Sequence, residues 1–153
     1  MKRSFQPLTA FALMIAFGGL TACATPRQTI DTAELEAQAQ QALPERVVIT
    51  VREPRHIMAS LKALDPLRAL DPPVEEIRIM AFGEAIHGIQ QDSPWADDVK
   101  AALEEGVQIS ACELAMKRMD IDPATLIPGV DVVPHVFVES IRLQQLGWYS
   151  IEY

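Results

Sequence analysis

Three side chains able to do chemistry stand at corresponding places in this chain, each just past a short apolar run: His87 beyond EIRIMAF, Cys112 after VQISA and His135 beyond VDVV. A cysteine thiolate is a nucleophile and a soft metal ligand, and an imidazole can move a proton near neutral pH or bind a transition metal. A thiolate with two imidazoles could therefore hold copper or zinc, or the histidines could pass a proton to the sulfur. Glu84, close to His87, is placed to line the same crevice, whereas His56 has no such setting. Each histidine also has a plainer role open to it, as a loop residue or a subunit contact, and Cys112 could simply pack as a small apolar group. Cys112 sits where a strand gives way to a helix, and the positive end of a helix dipole favours the thiolate. Glu113 opposes that effect and Lys117, one turn on, supports it. The chain has no Ser/His/Asp order, phosphate-cradling glycine loop or zinc-spaced cysteine set, and no cofactor is expected.

The segments around these residues predict alternating strands and helices. VVITV (Val47 to Val51) is short and β-branched, as a buried strand is. From His56, Ile57, Leu61 and Leu64 share one helical face, and Pro66 and Asp71-Pro72-Pro73 end the helix. Glu76 to Phe82 is the second predicted strand, with a turn at Gly83. Ser93-Pro94 resembles an N-cap and first helical position, Trp95, Val99, Ala102 and Leu103 make one apolar stripe, and Gly106 falls where a C′ glycine belongs. Val107 to Ala111, Val130 to Val133 and Tyr149 to Tyr153 are further strands, separated by helices over Cys112 to Met119 and Val136 to Leu146. Such alternation implies βαβ crossovers and a parallel sheet covered on both faces, which brings His87, Cys112 and His135 to the carboxyl ends of strands. The helix from Val136 has no single stripe: Phe137 and Ile141 point one way, Val136, Leu143 and Leu146 another. Two buried surfaces are implied, either an oligomer interface or a helix sunk deep in its own domain.

The N-terminal stretch reads as a leader. Lys2 and Arg3 precede LTAFALMIAFGGL, an uncharged run of signal-peptide length and too short to span a bilayer. Leu20-Thr21-Ala22-Cys23 resembles the lipobox of bacterial lipoproteins, so residues 1–22 are expected to be removed and Cys23 to carry a lipid. The expected location is a periplasm-facing, membrane-anchored lipoprotein. Ala24 is not the inner-membrane-retaining Asp of enteric lipoproteins, which favours the outer membrane. Residues 23–45, with Asp31, Glu34, Glu36 and several glutamines, read as a polar tether, leaving 46–153 as a single α/β domain. Cys112 would then be the only thiol of the mature chain, since the sequence has 2 cysteines. The net charge of −8 becomes more negative when Lys2 and Arg3 leave, which argues against nucleic acid as a partner.

GVQISACELAMKRM (Gly106 to Met119), IPGVDVVPHVFVESIRLQQLGWYSIEY (Ile127 to Tyr153) and MAFGEAIHGI (Met80 to Ile89) resemble the DsrE/DsrF-like sulfur-relay superfamily. Its pattern is a strand ending in a glycine turn, a later strand leading into a cysteine, and a closing helix, Gly-aromatic pair and strand. The resemblance spans roughly Val47 to Tyr153. It implies a three-layer α/β sandwich with a five-stranded, mainly parallel sheet, assembled as a trimer or hexamer. It also implies that Cys112 takes up a persulfide sulfur and exchanges it with a donor or acceptor protein. The chain departs from the pattern at His135-Val136-Phe137, whose bulk would narrow the crevice, and in a leader that directs it to an oxidising compartment.

These observations leave three readings: an envelope lipoprotein that binds or relays sulfane sulfur through Cys112, a non-enzymatic oligomeric binding or scaffold module, and a copper or zinc site at Cys112, His87 and His135.

Overall fold

Strands β1 (Arg46–Val51), β2 (Glu76–Ala81), β3 (Gln108–Cys112), β4 (Asp131–Val133) and β5 (Tyr149–Glu152) form one sheet in the order β4-β3-β2-β1-β5, and every neighbouring pair is parallel. They are seen in a computed structural model that describes residues 32–33 and 44–153. The leader, Cys23 and most of the tether lie outside the described residues. Between the strands lie helices α1 (Pro54–Lys62), α2 (Leu64–Arg68), α3 (Ala96–Glu104), α4 (Glu113–Met119) and α5 (Val136–Gln145), with 3₁₀ segments at Gly83–Ile89 and Pro123–Thr125.

The strand order explains where the layers fall. From β1 to β4 the chain steps in one direction, and right-handed crossovers put all those connections on one face. From β4 it returns to the far edge of the sheet, so α5 covers the opposite face. Strand alternation agrees with this division. Val47, Ile49, Val51, Ile77, Ile79, Ala81, Ile109 and Ala111 point into the larger core with Ile57, Val99 and Met116. Val48, Met80 and Cys112 point the other way, under Val136, Leu143 and Trp148. This second layer is thinner and more polar, with buried Thr50, Ser110 and Ser140 and a bridge from Arg78 to Glu139 of α5 at 2.8 Å.

Several ends differ from the sequence expectation for local reasons. Helix α1 begins at Pro54, two residues early, because proline lacks only an N–H that the first turn leaves unused. For the same reason Pro66 does not end a helix but stands in the first turn of α2. Ser93 caps no helix: its hydroxyl donates to Gly88 O at 3.0 Å and accepts from Trp95 N at 3.2 Å, organising a turn before α3. At the end of α3, Gly106 N bonds Leu103 O and Val107 N bonds Ala102 O, the paired closure expected of a C′ glycine. Gly147 ends α5 with the same pair, to Gln144 O and Leu143 O, at a φ of +87°. That closure swings Trp148 into the thin core, where the Arg46 guanidinium lies 5.8 Å from its ring centroid. The Gly-aromatic pair is thus a helix stop joined to a core anchor.

Helix α5 is not sunk in its domain. Val136, Ser140 and Leu143 are buried, while Phe137, Val138 and Ile141 are exposed. Leu146, expected on the buried side, is also exposed because it falls in the helix cap, turned away by the stop at Gly147.

Candidate functional site

A cavity of about 440 Å³ opens at the carboxyl edge of the sheet, where ligands of open α/β sheets bind. Strand ends and the residues just past them supply its walls: Arg52 after β1, Phe82 and Gly83 after β2, Cys112 closing β3, and His135 with Val136 and Phe137 after β4. Helix α4 adds Leu114, Ala115, Arg118 and Met119. The volume suits a small molecule.

Cys112 is 5% exposed and packs with Val48, Met80 and Val133, yet it lines this cavity. Its place is the last residue of β3, paired with Val133, and the cap of α4, where its side chain makes no capping hydrogen bond. The sulfur is therefore packed on one side and uncommitted on the other. Glu113 and Lys117, whose opposed charges bear on this cysteine, pair with each other at 2.7 Å. His135 caps α5: its Nδ1 accepts from Phe137 N at 3.2 Å, so the neutral ring carries its proton on Nε2. In that form His135 is a donor to an anion and not a base for the thiol. The Phe137 ring lies 5.5 Å from His135 and meets Phe82 edge-on at 5.2 Å, closing one wall. The bulk after β4 thus shapes the cavity without filling it.

His87 and Glu84 go elsewhere. Both ride on the 3₁₀ segment Gly83–Ile89, which buries Ala85, Ile86 and Ile89 in the larger core and leaves these two exposed. His87 Nδ1 lies 2.7 Å from Gln90 Oε1, and its Nε2 lies 3.6 Å from Glu84. Glu84 borders an adjoining groove with Glu53, Arg55 and Trp95 that shares only Arg52 with the cavity. Cys112 and His135 are brought together, His87 and Glu84 are not, and the described residues contain no group of three or more His, Cys, Asp or Glu arranged to hold a metal. The copper or zinc reading loses its third ligand.

Arg52 and Arg118 are the site residues that sequence reasoning missed. Arg52 is the first residue beyond β1, a position equivalent to those of the histidines, and that signal was available. Its carbonyl accepts from Ala85 N at 2.8 Å, and its stem lies over Gly83, where a Cβ would come within 3.5 Å of Arg52 Cγ. Gly83 also has a φ of +54°, which glycine tolerates best. Arg118 had no such signal, because a charge on a short helix reads as solvated.

The fold is that of the DsrE-like superfamily, an α/β sandwich with an all-parallel five-stranded sheet. MTH1491 of Methanobacterium thermoautotrophicum, a protein of unknown function, has the same fold, with a TM-score of 0.65 and 26% identity over 71% of this chain and 98% of its own. The YchN protein of Escherichia coli matches with a TM-score of 0.52 and 11% identity over 71% of this chain and 99% of its own. No protein-family model and no curated protein matches the chain.

Proposed function

We propose that this protein binds or relays sulfane sulfur through Cys112. The observation that carries the reading is the position of the sulfur, at the wall of a cavity and with no capping hydrogen bond from its side chain. The DsrE-like fold supports it, since the resemblance implies a sulfur-accepting cysteine at this junction. Phe82, Phe137 and Met119 line the cavity and limit water around the sulfur, which slows hydrolysis and oxidation of a bound persulfide.

The Leu20 to Cys23 lipobox supports anchoring of the domain to an envelope membrane, with the cavity facing the periplasm. No helix among the described residues is long and apolar enough to cross a membrane. The exposed outer face of α5, with Phe137, Val138 and Ile141, supports assembly with further copies of the chain, as the resemblance implies.

Intact-mass analysis tests the proposal. Protein exposed to inorganic polysulfide gains the mass of sulfur, the gain is removed by a reducing thiol, and Cys112→Ser gains none. Protein purified from its own envelope carries acyl chains on Cys23. If the wild-type protein takes up no sulfur and Cys112 resists thiol reagents in the folded state, the cysteine is packing only and the scaffold reading replaces this one.

A further inference from the structure

The described arginines divide unevenly. Arg46 donates to Leu146 O, Arg55 pairs with Glu53, Arg68 with Glu105, and Arg78 and Arg142 both with Glu139. The two that remain, Arg52 and Arg118, have no ion pair or side-chain hydrogen bond among the described residues, and both line the Cys112 cavity. This arrangement is unexpected in a chain with 21 Asp and Glu against 13 Lys and Arg, where a free guanidinium readily finds a carboxylate. Among the described residues no carboxylate lines that cavity, and its other polar side chains are Cys112 and His135, the latter with Nε2–H as a donor.

Resting on the sulfur reading of Cys112, we infer that the cavity selects a donor whose sulfane sulfur is carried on a small oxyanion, thiosulfate being the simplest, with Arg52 and Arg118 as the anion-binding pair. Guanidinium forks match the oxygens of such a group and hold them by charge-assisted hydrogen bonds. The apolar remainder of the wall, Phe82, Leu114, Met119 and Phe137, suits the polarisable sulfur end. Once the thiol has lost its proton to solvent, the Cys112 thiolate attacks the outer sulfur of thiosulfate. A new S–S bond forms, the S–S bond of thiosulfate breaks, and sulfite leaves with its electron pair. Charge is conserved and no oxidant or reductant is consumed. The pair then faces sulfite, and its release completes the transfer.

The test compares two donors on the full-length protein in a Cys23→Ser background, called the wild type below, so that Cys112 is its one thiol. Thiosulfate binding is measured by calorimetry on Cys112→Ser, where no transfer can follow. Persulfide formation and sulfite release are measured on the wild type, Arg52→Gln, Arg118→Gln and Arg118→Lys, with oxygen-free polysulfide as the second donor. Both arginines are exposed, and thermal melting confirms that the variants fold. The expected result is saturable thiosulfate binding, stoichiometric sulfite, and a loss of thiosulfate loading in each Gln variant at least about tenfold greater than its loss of polysulfide loading, with partial recovery in Arg118→Lys. Polysulfide loading without thiosulfate binding overturns the oxyanion assignment and leaves the Cys112 reading standing. Equal losses with both donors likewise overturn it, and failure of both donors on the wild type removes the two readings together.

Discussion

At the residue scale, Glu139 of α5 makes a polar tie to the sheet by accepting from Arg78 at 2.8 Å, and it also accepts from Arg142 of its own helix at 2.6 Å. The side chains of Arg78 and Glu139 are only 14% and 17% exposed, so screening by water is weak here. The hydrogen bond from Arg142 is the largest cause holding the Glu139 carboxyl below its ordinary value; burial opposes it, and the charges of both arginines add to it. A depressed folded-state value contributes stability above the unfolded value, about 4.3 for glutamate, and that contribution is lost as pH falls through the folded value. The melting temperature is therefore expected to drop on acidification below about pH 4.3, and Glu139→Gln to flatten that drop. Near neutral pH the same variant leaves the Arg78 charge without its carboxylate partner, at a cost of roughly 2 kcal/mol in chemical denaturation. An unchanged acid profile in the variant means that Glu139 does not couple to folding.

At the scale of elements, the closing helix and its stop decide how the thin layer is covered. Gly147 has a φ of +87°, and a Cβ there would come 3.2 Å from the Arg46 guanidinium that donates to Leu146 O. Gly147→Ala is expected to cost about 1–2 kcal/mol from backbone strain alone, read as a lower denaturation midpoint at constant slope. Loss of near-ultraviolet circular dichroism from Trp148 should accompany it; retention of both signals means that the helix stop tolerates a side chain. The helix over Val136 to Leu146 and the strand from Tyr149 were legible in the sequence, whereas the Gly-aromatic pair between them entered only through the resemblance. The start of α3 was less legible. Ser93 has two competing uses for its hydroxyl, and the bond to Gly88 O, five residues back, took it away from the helix.

For the whole molecule, the exposed face of α5 separates a monomer from an assembly. Phe137, Val138 and Ile141 are exposed on α5, and Leu146 and Tyr149 are exposed just after it, large apolar side chains of the kind that mark association. Because Ile141 is 58% exposed, Ile141→Glu leaves the monomer's own packing intact. Light scattering is expected to give a multiple of the chain mass for the wild type and a lower one for the variant. A wild type that stays monomeric at high concentration ends the oligomer reading.

Near-neighbour chemistry along the chain already specifies the alternation of strands and helices, the parallel sheet and the position of Cys112 at a strand-to-helix junction. Those features come from periodicity, proline and glycine placement, and hydrogen bonds between residues a few positions apart. Membership of the site, by contrast, was settled by packing between distant segments. An equivalent place at a strand end did not bring His87 to Cys112 and His135, because the 3₁₀ segment after β2 buries its apolar side and carries His87 and Glu84 outward. Nor could the sequence say which arginines would find carboxylates. That choice depends on which charges folding brings within reach, and it left Arg52 and Arg118, distant in the chain, on the walls of one cavity.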